Sequence, residues 1–288
     1  MAPSLTNPPP APPPGGWPRI SIVTPSFNQG WALERTIRSV LDQGYPNLEY
    51  IIMDGGSTDD SLAVIQRYAS RLTYWQHAPD EGQTAALVSG LTHATGRVLG
   101  YLNSDDILQP GSLAAVGRAV AAGATWVVGW TQVIDEWDRE LMIHPTLPLS
   151  LADLIRHRYI IPQEATFVTR ELYDRSGGLD ASYNYAMDAH LWMRILSLEP
   201  PTWLPILIGG FRIHPHQKTM RMDLYWEEFE RAAAGISAWR MAQGLPALPP
   251  AHNFLWFNVL KVVHYLRKVG PLNIWRIWQF RRKFRSDG

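Results

Sequence analysis

Two apolar stretches of this chain run directly into carboxylates. Tyr50-Ile51-Ile52-Met53 leads to Asp54, and Val98-Leu99-Gly100-Tyr101-Leu102 leads to Asn103-Ser104-Asp105-Asp106. Short apolar runs closed by turn residues read as buried parallel strands, and open α/β sheets hold ligands at the carboxyl ends of such strands. Carboxylates placed there offer hard oxygens to Mg2+ or Mn2+, and such a metal can bridge phosphate oxygens. The expected chemistry is therefore the handling of a nucleotide diphosphate. Asp105 and Asp106 repel each other unless a cation or solvent offsets them. A metal site and an acidic cap on a helix beginning near Pro110-Gly111 both meet that need. Gly55-Gly56-Ser57-Thr58-Asp59 has neither the lysine nor the spacing of a Walker loop. It reads as a strand-to-helix turn with Ser57 or Thr58 capping the next helix, which is compatible with Asp54 binding a base or ribose.

The elements that must position these groups follow from periodicity. Ile20–Thr24 is a short strand stopped by Pro25, and Leu33, Ile37, Val40 and Leu41 fall at helical spacing between Trp31 and Gln43. Strand 49–53, a helix face marked by Leu62, Ile65 and Ala69, a strand at 73–76, a helix at 85–94 and a strand at 97–102 follow. Strands and helices alternating in this way imply a largely parallel sheet with right-handed crossovers. Beyond residue 110 the rhythm changes. A helix at 112–121 leads to an extended segment at 125–134 and a hairpin turn at Asp135–Asp138. Residues 160–168 read as extended, 186–198 as a helix, and 203–213 as a strand broken at Gly209-Gly210. Mixed strands here suggest a second half that completes the site. No internal repeat is visible.

The 288 residues suffice for one substantial α/β domain with an appendage. With no cysteine, the chain has no disulfide, thiolate metal site or cysteine nucleophile. Twenty-six basic residues balance twenty-six acidic ones, but unevenly. Residues 1–230 carry a net charge of −9, whereas ten basic residues and no acidic one lie between Glu230 and Asp287. Residues 252–288 add a Trp-rich apolar pattern, which suits an interfacial helix on an anionic membrane and equally suits packing on the catalytic domain or a homodimer contact. Nucleic acid is not the expected partner. The first eighteen residues hold eight prolines and lack the pattern of a secretion signal, so 1–18 reads as a disordered lead. No run of eighteen apolar residues appears. A cytoplasmic location, with peripheral contact on the inner membrane face, is expected.

Six segments in order carry a specific resemblance: Thr24-Pro25-Ser26-Phe27-Asn28, Asp54–Asp59, Asp80-Glu81-Gly82, Leu102–Asp106, Gly177-Gly178-Leu179-Asp180 and Met187-Asp188. Pro162-Gln163 and Phe211–His214 extend it. The chain resembles glycosyltransferase family 2, over about residues 19–220, with 221–288 as a helical, basic extension. The resemblance implies an α/β GT-A fold, the Rossmann-like nucleotide-sugar-binding architecture. It also implies a metal-dependent, inverting transferase that moves one sugar from a UDP- or dTDP-sugar to a glycan or lipid-linked acceptor, as in polysaccharide synthesis. Processive synthases of the family carry a Gln-x-x-Arg-Trp motif and membrane spans, which are not seen here.

Carried residue by residue, the resemblance makes Pro25, Phe27 and Asn28 the wall of the base pocket and Asp54 the acceptor of a base N–H. It puts Asp80 and Gln83 near the ribose or diphosphate, with Asn103 and Ser104 leading to Asp105 as the main ligand of Mn2+ or Mg2+. Asn103 stands where the family has an aspartate. Asp188 becomes the catalytic base, with Met187 replacing the acid that often precedes it. His214 completes the metal shell or meets the diphosphate, and Lys218 or Arg212 neutralises the leaving phosphates. Two other readings remain: an inactive sugar-nucleotide-binding or scaffold protein, to which Asn103 and Met187 point, and a nucleotidyltransferase, which needs a basic phosphate loop that is not seen.

Overall fold

The computed structural model describes residues 11–248. The expectation of an interfacial segment at 252–288 lies outside the described residues, as does most of the Pro-rich lead.

The first half follows the predicted alternation. It runs β1 (Ile20–Ser26), α1 (Gly30–Leu41), β2 (Leu48–Asp54), α2 (Ser61–Tyr68), β3 (Tyr74–His77), α3 (Gln83–His93) and β4 (Val98–Tyr101). All four strands are parallel, in the order β3-β2-β1-β4. Residues two apart face opposite layers from their neighbours. Tyr50 and Ile52 of β2 join Leu33, Ile37 and Val40 on the face covered by α1 and α2. Ile51 and Met53 join Ala86, Leu87 and Leu91 of α3 on the other. Each such isoleucine, fully withdrawn from water, contributes about 1.5–3 kcal/mol. Pro25 sits inside β1 without cost because β4 pairs with β1 only as far as Val23, so no ladder bond awaits its missing N–H.

The second half closes the same sheet with mixed strands. These are β5 (Ile107–Leu108), α4 (Ser112–Ala121), β6 (Trp126–Ile134), β7 (Glu140–His144), α5 (Leu151–Arg156), β8 (Thr166–Thr169), α6 (Arg170–Arg175), α7 (Met187–Leu198), β9 (Thr202–Arg212) and α8 (Met222–Ala242). The nine-stranded sheet continues from β4 through β8, β6 and β9 to β5, with β7 paired to β6. β8 is antiparallel to both β4 and β6, and β6 runs parallel to β9.

Two expectations are corrected here. Residues 160–168 are not one extended segment: a single 3-10 turn, Gln163–Ala165, precedes β8, closed by a 2.7 Å hydrogen bond from Thr166 Oγ1 to the Pro162 carbonyl. Nor does Gly209-Gly210 break β9, since both glycines pair with β5 and β6. A Cβ on Gly209 would stand 2.6 Å from Glu164, and one on Gly210 2.7 Å from Ile107. The glycines let other chain segments press against a continuous strand.

α8 begins just past residue 220 and packs on α7. Its Tyr225, Phe229, Ala232 and Ile236 belong to the same buried cluster as Leu191, Trp192 and Ile195. Among the described residues no helix is long and apolar enough to cross a membrane.

Candidate active site

The carboxyl ends of β1 and β2 are tied together by side chains. Asp54 is buried, and its carboxylate accepts from the Ser57 N–H at 2.9 Å, from Ser57 Oγ at 2.6 Å and meets His77 Nδ1 at 2.6 Å. Two of these partners meet Oδ1 and one meets Oδ2, so the carboxylate keeps accepting capacity for a further N–H. These bonds shape the turn after β2, beside the base contact expected of Asp54. Ser57 Oγ also accepts from the Asn28 N–H at 2.8 Å, and Asn28 Oδ1 accepts from the Thr58 N–H at 2.8 Å. Asn28 holds φ 53°, a left-handed conformation that asparagine tolerates better than most residues. Neither Ser57 nor Thr58 caps α2. That work falls to Asp59, whose carboxylate accepts from the N–H groups of Ser61 at 2.9 Å and Gly30 at 2.8 Å. Phe27 projects outward, 61% exposed, beyond buried Pro25. An aromatic face open to solvent at a strand end suits stacking on a base.

The loop before α3 forms the next wall. Asp80 accepts from the Gly82 N–H at 2.8 Å and lies so close to Gly55 that a Cβ there would meet its carboxylate at 2.9 Å. Gln83 Nε2 donates to Asn103 Oδ1 at 2.6 Å, and Asn103 Nδ2 donates to Asp106 Oδ2 at 3.2 Å. This chain explains the asparagine physically. An amide accepts on one side and donates on the other, which an ionised carboxylate at 103, an acceptor only, could not do. Asp106 is buried and also takes Gln163 Nε2 at 3.0 Å and the Arg212 N–H at 2.9 Å. Burial, and then the neighbouring charge of Asp105, hold its carboxyl well above the usual range. Ser104 is buried, its carbonyl accepting from Thr36 Oγ1 at 2.8 Å.

Asp105 and His214 come together from positions 109 residues apart, with His214 Nε2 2.8 Å from Asp105 Oδ2. His214 is buried, with the Trp31 ring edge-on to it at 5.1 Å. One carboxylate and one imidazole form an oxygen and nitrogen donor set that suits Mn2+ or Mg2+, provided phosphates and water complete the shell. Among the described residues no group of three or more such side chains converges. The pair therefore fits a metal shared with a diphosphate and not a protein-only cage. Arg212 is not available to the leaving phosphates. It is completely buried, donating to the carbonyls of Asp105 at 2.6 Å and Asp135 at 2.9 Å and pairing with Asp138 at 2.5 Å.

Asp188 stands in the first turn of α7, partly buried. Burial pushes its carboxyl up to about 6, with Glu228 adding to the rise and Lys218 opposing it. Met187, in place of a second acid, is buried, and its sulfur lies 2.8 Å from Thr84 Oγ1. Lys218 donates to Asn184 O at 2.8 Å and Asn184 Oδ1 at 2.7 Å, which directs it to the turn before α7. Three residues at the site escaped sequence reasoning. His77 ends β3 beside Asp54 in register, so strand-end logic would have reached it. Glu164 follows Pro162-Gln163 directly. It is buried, and burial, then the charges of Asp188 and Asp105, push it up to about 7. Glu228, on α8, has no local signal.

A family model described as glycosyl transferase family 2 matches residues 21–179. The chain belongs to glycosyltransferase family 2. The chain is 31% identical over 192 residues to the uncharacterized glycosyltransferase Rv1514c of Mycobacterium tuberculosis, covering 64% of this chain and 72% of that one. It is 30% identical over 116 residues to the GalNAc(5)-diNAcBac-PP-undecaprenol beta-1,3-glucosyltransferase of Campylobacter jejuni, covering 39% and 38%. Among solved structures, S. aureus TarS 1-349 in complex with UDP-GlcNAc superposes with a TM-score of 0.62 at 15% identity, over 76% of this chain and 66% of that one. Mannosyltransferase PcManGT from Pyrobaculum calidifontis, in complex with GDP-Man and Mn2+, gives 0.55 at 20% identity over 96% and 78%. The fold of this glycosyltransferase is accordingly GT-A. The family match ends before Asp188, Lys218, His214 and Glu228.

Proposed function

We propose that this glycosyltransferase transfers a single sugar, with inversion, from a UDP- or dTDP-sugar to an acceptor hydroxyl. The observation that carries the proposal is the convergence of two separate acidic centres on one end of the sheet. Asp105 with His214 forms one, Asp188 at the start of α7 forms the other, and buried Glu164 feels the charge of both.

Asp105 and His214 would hold Mn2+ or Mg2+, whose charge, when bound, offsets that of the departing diphosphate. Phe27 stacks on the base, while Asp54, Ser57 and Asn28 keep its pocket in shape and Asp80 and Gln83 border the ribose and diphosphate. Asp188 takes the acceptor's proton as the hydroxyl oxygen attacks the anomeric carbon. The bond from that carbon to the diphosphate oxygen breaks on the opposite face, and the proton stays on the Asp188 carboxyl. An acid held near 6 is ionised at neutral pH yet basic enough to accept it. The Campylobacter relative's lipid-linked substrate favours an acceptor from polysaccharide or glycolipid synthesis. The basic, Trp-rich composition of 252–288 favours work at an anionic membrane face.

The test is nucleotide release from a panel of UDP-, dTDP- and GDP-sugars with and without Mn2+. Metal-dependent release from a UDP- or dTDP-sugar, with inverted configuration in the product's NMR spectrum, is expected. Asp105→Ala should lower that release by ~10³-fold, the scale of several kcal/mol of metal stabilisation, in a protein that still melts cooperatively. Retained configuration, or a folded Asp105→Ala variant with parental turnover, contradicts the proposal.

A further inference from the structure

The turn that delivers Asp188 is held from outside α7. Ala186, the residue before the helix, has no side-chain cap, and the N–H groups at a helix start need partners. One carboxylate holds the turn that leads into the helix. Glu228 of α8 accepts from three successive N–H groups: Asn184 at 3.0 Å, Tyr185 at 2.7 Å and Ala186 at 2.8 Å. Three residues on, and so on the same face of α8, Arg231 donates to the Ser182 carbonyl at 2.8 Å and covers the Tyr183 ring at 4.1 Å. Lys218 grips the Asn184 carbonyl from the loop after β9, and Thr84 of α3 donates to the Tyr183 carbonyl at 2.7 Å. The segment 182–186 is thus grasped by three separate elements, and its N–H side is held by Glu228.

We propose that Glu228 is a positioning residue for the reaction: its carboxylate fixes the turn 184–186 and so sets where the Asp188 carboxylate meets the acceptor hydroxyl. This rests on the reading of Asp188 as base. Hydrogen bonds to an ionised acceptor are shorter and stronger than neutral ones, and three from one carboxylate leave the turn little freedom. Small misplacement of a reacting group is costly because orientation carries much of the rate. α8 therefore takes part in the catalytic machinery, although Glu228 itself touches no reacting atom.

The test compares Glu228→Ala, Glu228→Gln, Asp188→Asn and the double variant Asp188→Asn/Glu228→Ala. Each is assayed for turnover of the UDP-sugar most active in the Mn2+ panel, with UDP affinity measured by calorimetry. Glu228→Ala should lose ~10- to 10²-fold in kcat with UDP affinity unchanged. Glu228→Gln should recover to within ~3-fold, because the amide oxygen can take the place of the oxygen that receives all three N–H groups. In the Asp188→Asn background, removing Glu228 should cost nothing further, since residues that act through one another are not additive. Parental kcat in Glu228→Ala while Asp188→Asn is inactive overturns the positioning role alone. Full multiplicative loss in the double variant, or a glutamine variant no better than alanine, overturns it as well. Parental turnover in Asp188→Asn overturns the base reading on which it stands.

Discussion

The turns at the ends of β1, β2 and β3 and the turn before α7 both present carboxylates, but they are built in opposite ways. At the strand ends the partners are close neighbours or adjacent strands: Asp54 with Ser57, Asp59 with Ser61, Asp80 with Gly82. Asp188 instead depends on groups 30 to 40 positions further along, Lys218 and Glu228. A site made of local turns survives as a motif, whereas a site made of distant helices exists only once the sheet has brought them together.

The largest effect that sharpens this contrast is expected at Asp188. Asp188→Asn should transfer sugar at least ~10²-fold more slowly, the usual scale of general-base loss, while binding nucleotide like the parent. Calorimetry beside the transfer rate checks it, and a joint fall of affinity and rate would make Asp188 part of the binding wall, erasing the distinction.

The pH profile follows from the same group. Burial, aided by Glu228 and opposed by Lys218, raises the Asp188 carboxyl to about 6, and Glu164, Tyr101 and Tyr225 also face it. The base must be ionised to accept a proton. kcat/KM should therefore fall about tenfold per unit as pH drops below about 6 and level off above it. A profile flat down to pH 4.5 would remove Asp188 from the proton transfer.

Arg212 ties the loop after β4 to the hairpin between β6 and β7, and its loss should show mainly as instability. Replacing it by methionine in Arg212→Met leaves the Asp105 and Asp135 carbonyls without donors in a buried place. A cost of about 3 kcal/mol is expected in urea unfolding, the scale of breaking a buried charged network. Unchanged stability would mean that the loop and the hairpin hold together without it.

The smallest effect belongs to a local turn. Asn28→Ala places a residue less tolerant of φ 53° between β1 and α1 and removes the bond to Thr58. It should cost about 1–2 kcal/mol of stability and weaken UDP binding only a few-fold, with kcat retained. Asn28→Gly should suffer less, since glycine adopts that backbone freely. If both variants lose kcat as fully as Asp188→Asn, the strand-end turns are not the separate binding element described here.

The amino-acid sequence by itself determined the alternating elements through β4, the mixed character of the second half, and the positions of Asp54, Asp105, Asp188 and His214. Strand and helix periodicity and turn chemistry are local properties, so they can be read along the chain. The tertiary structure alone decided what those residues touch. It closed Asp54 against His77, made Asn103 a bridge between Gln83 and Asp106, and buried Arg212 against the Asp105 and Asp135 carbonyls. It kept β9 continuous through Gly209-Gly210, because the close approach of Glu164 and Ile107 leaves no room for side chains there. It also set Glu228 of α8 on the turn before Asp188. These outcomes turn on contacts between residues dozens of positions apart, whose pairing depends on how the helices settle on the sheet and leaves no period or spacing in the chain.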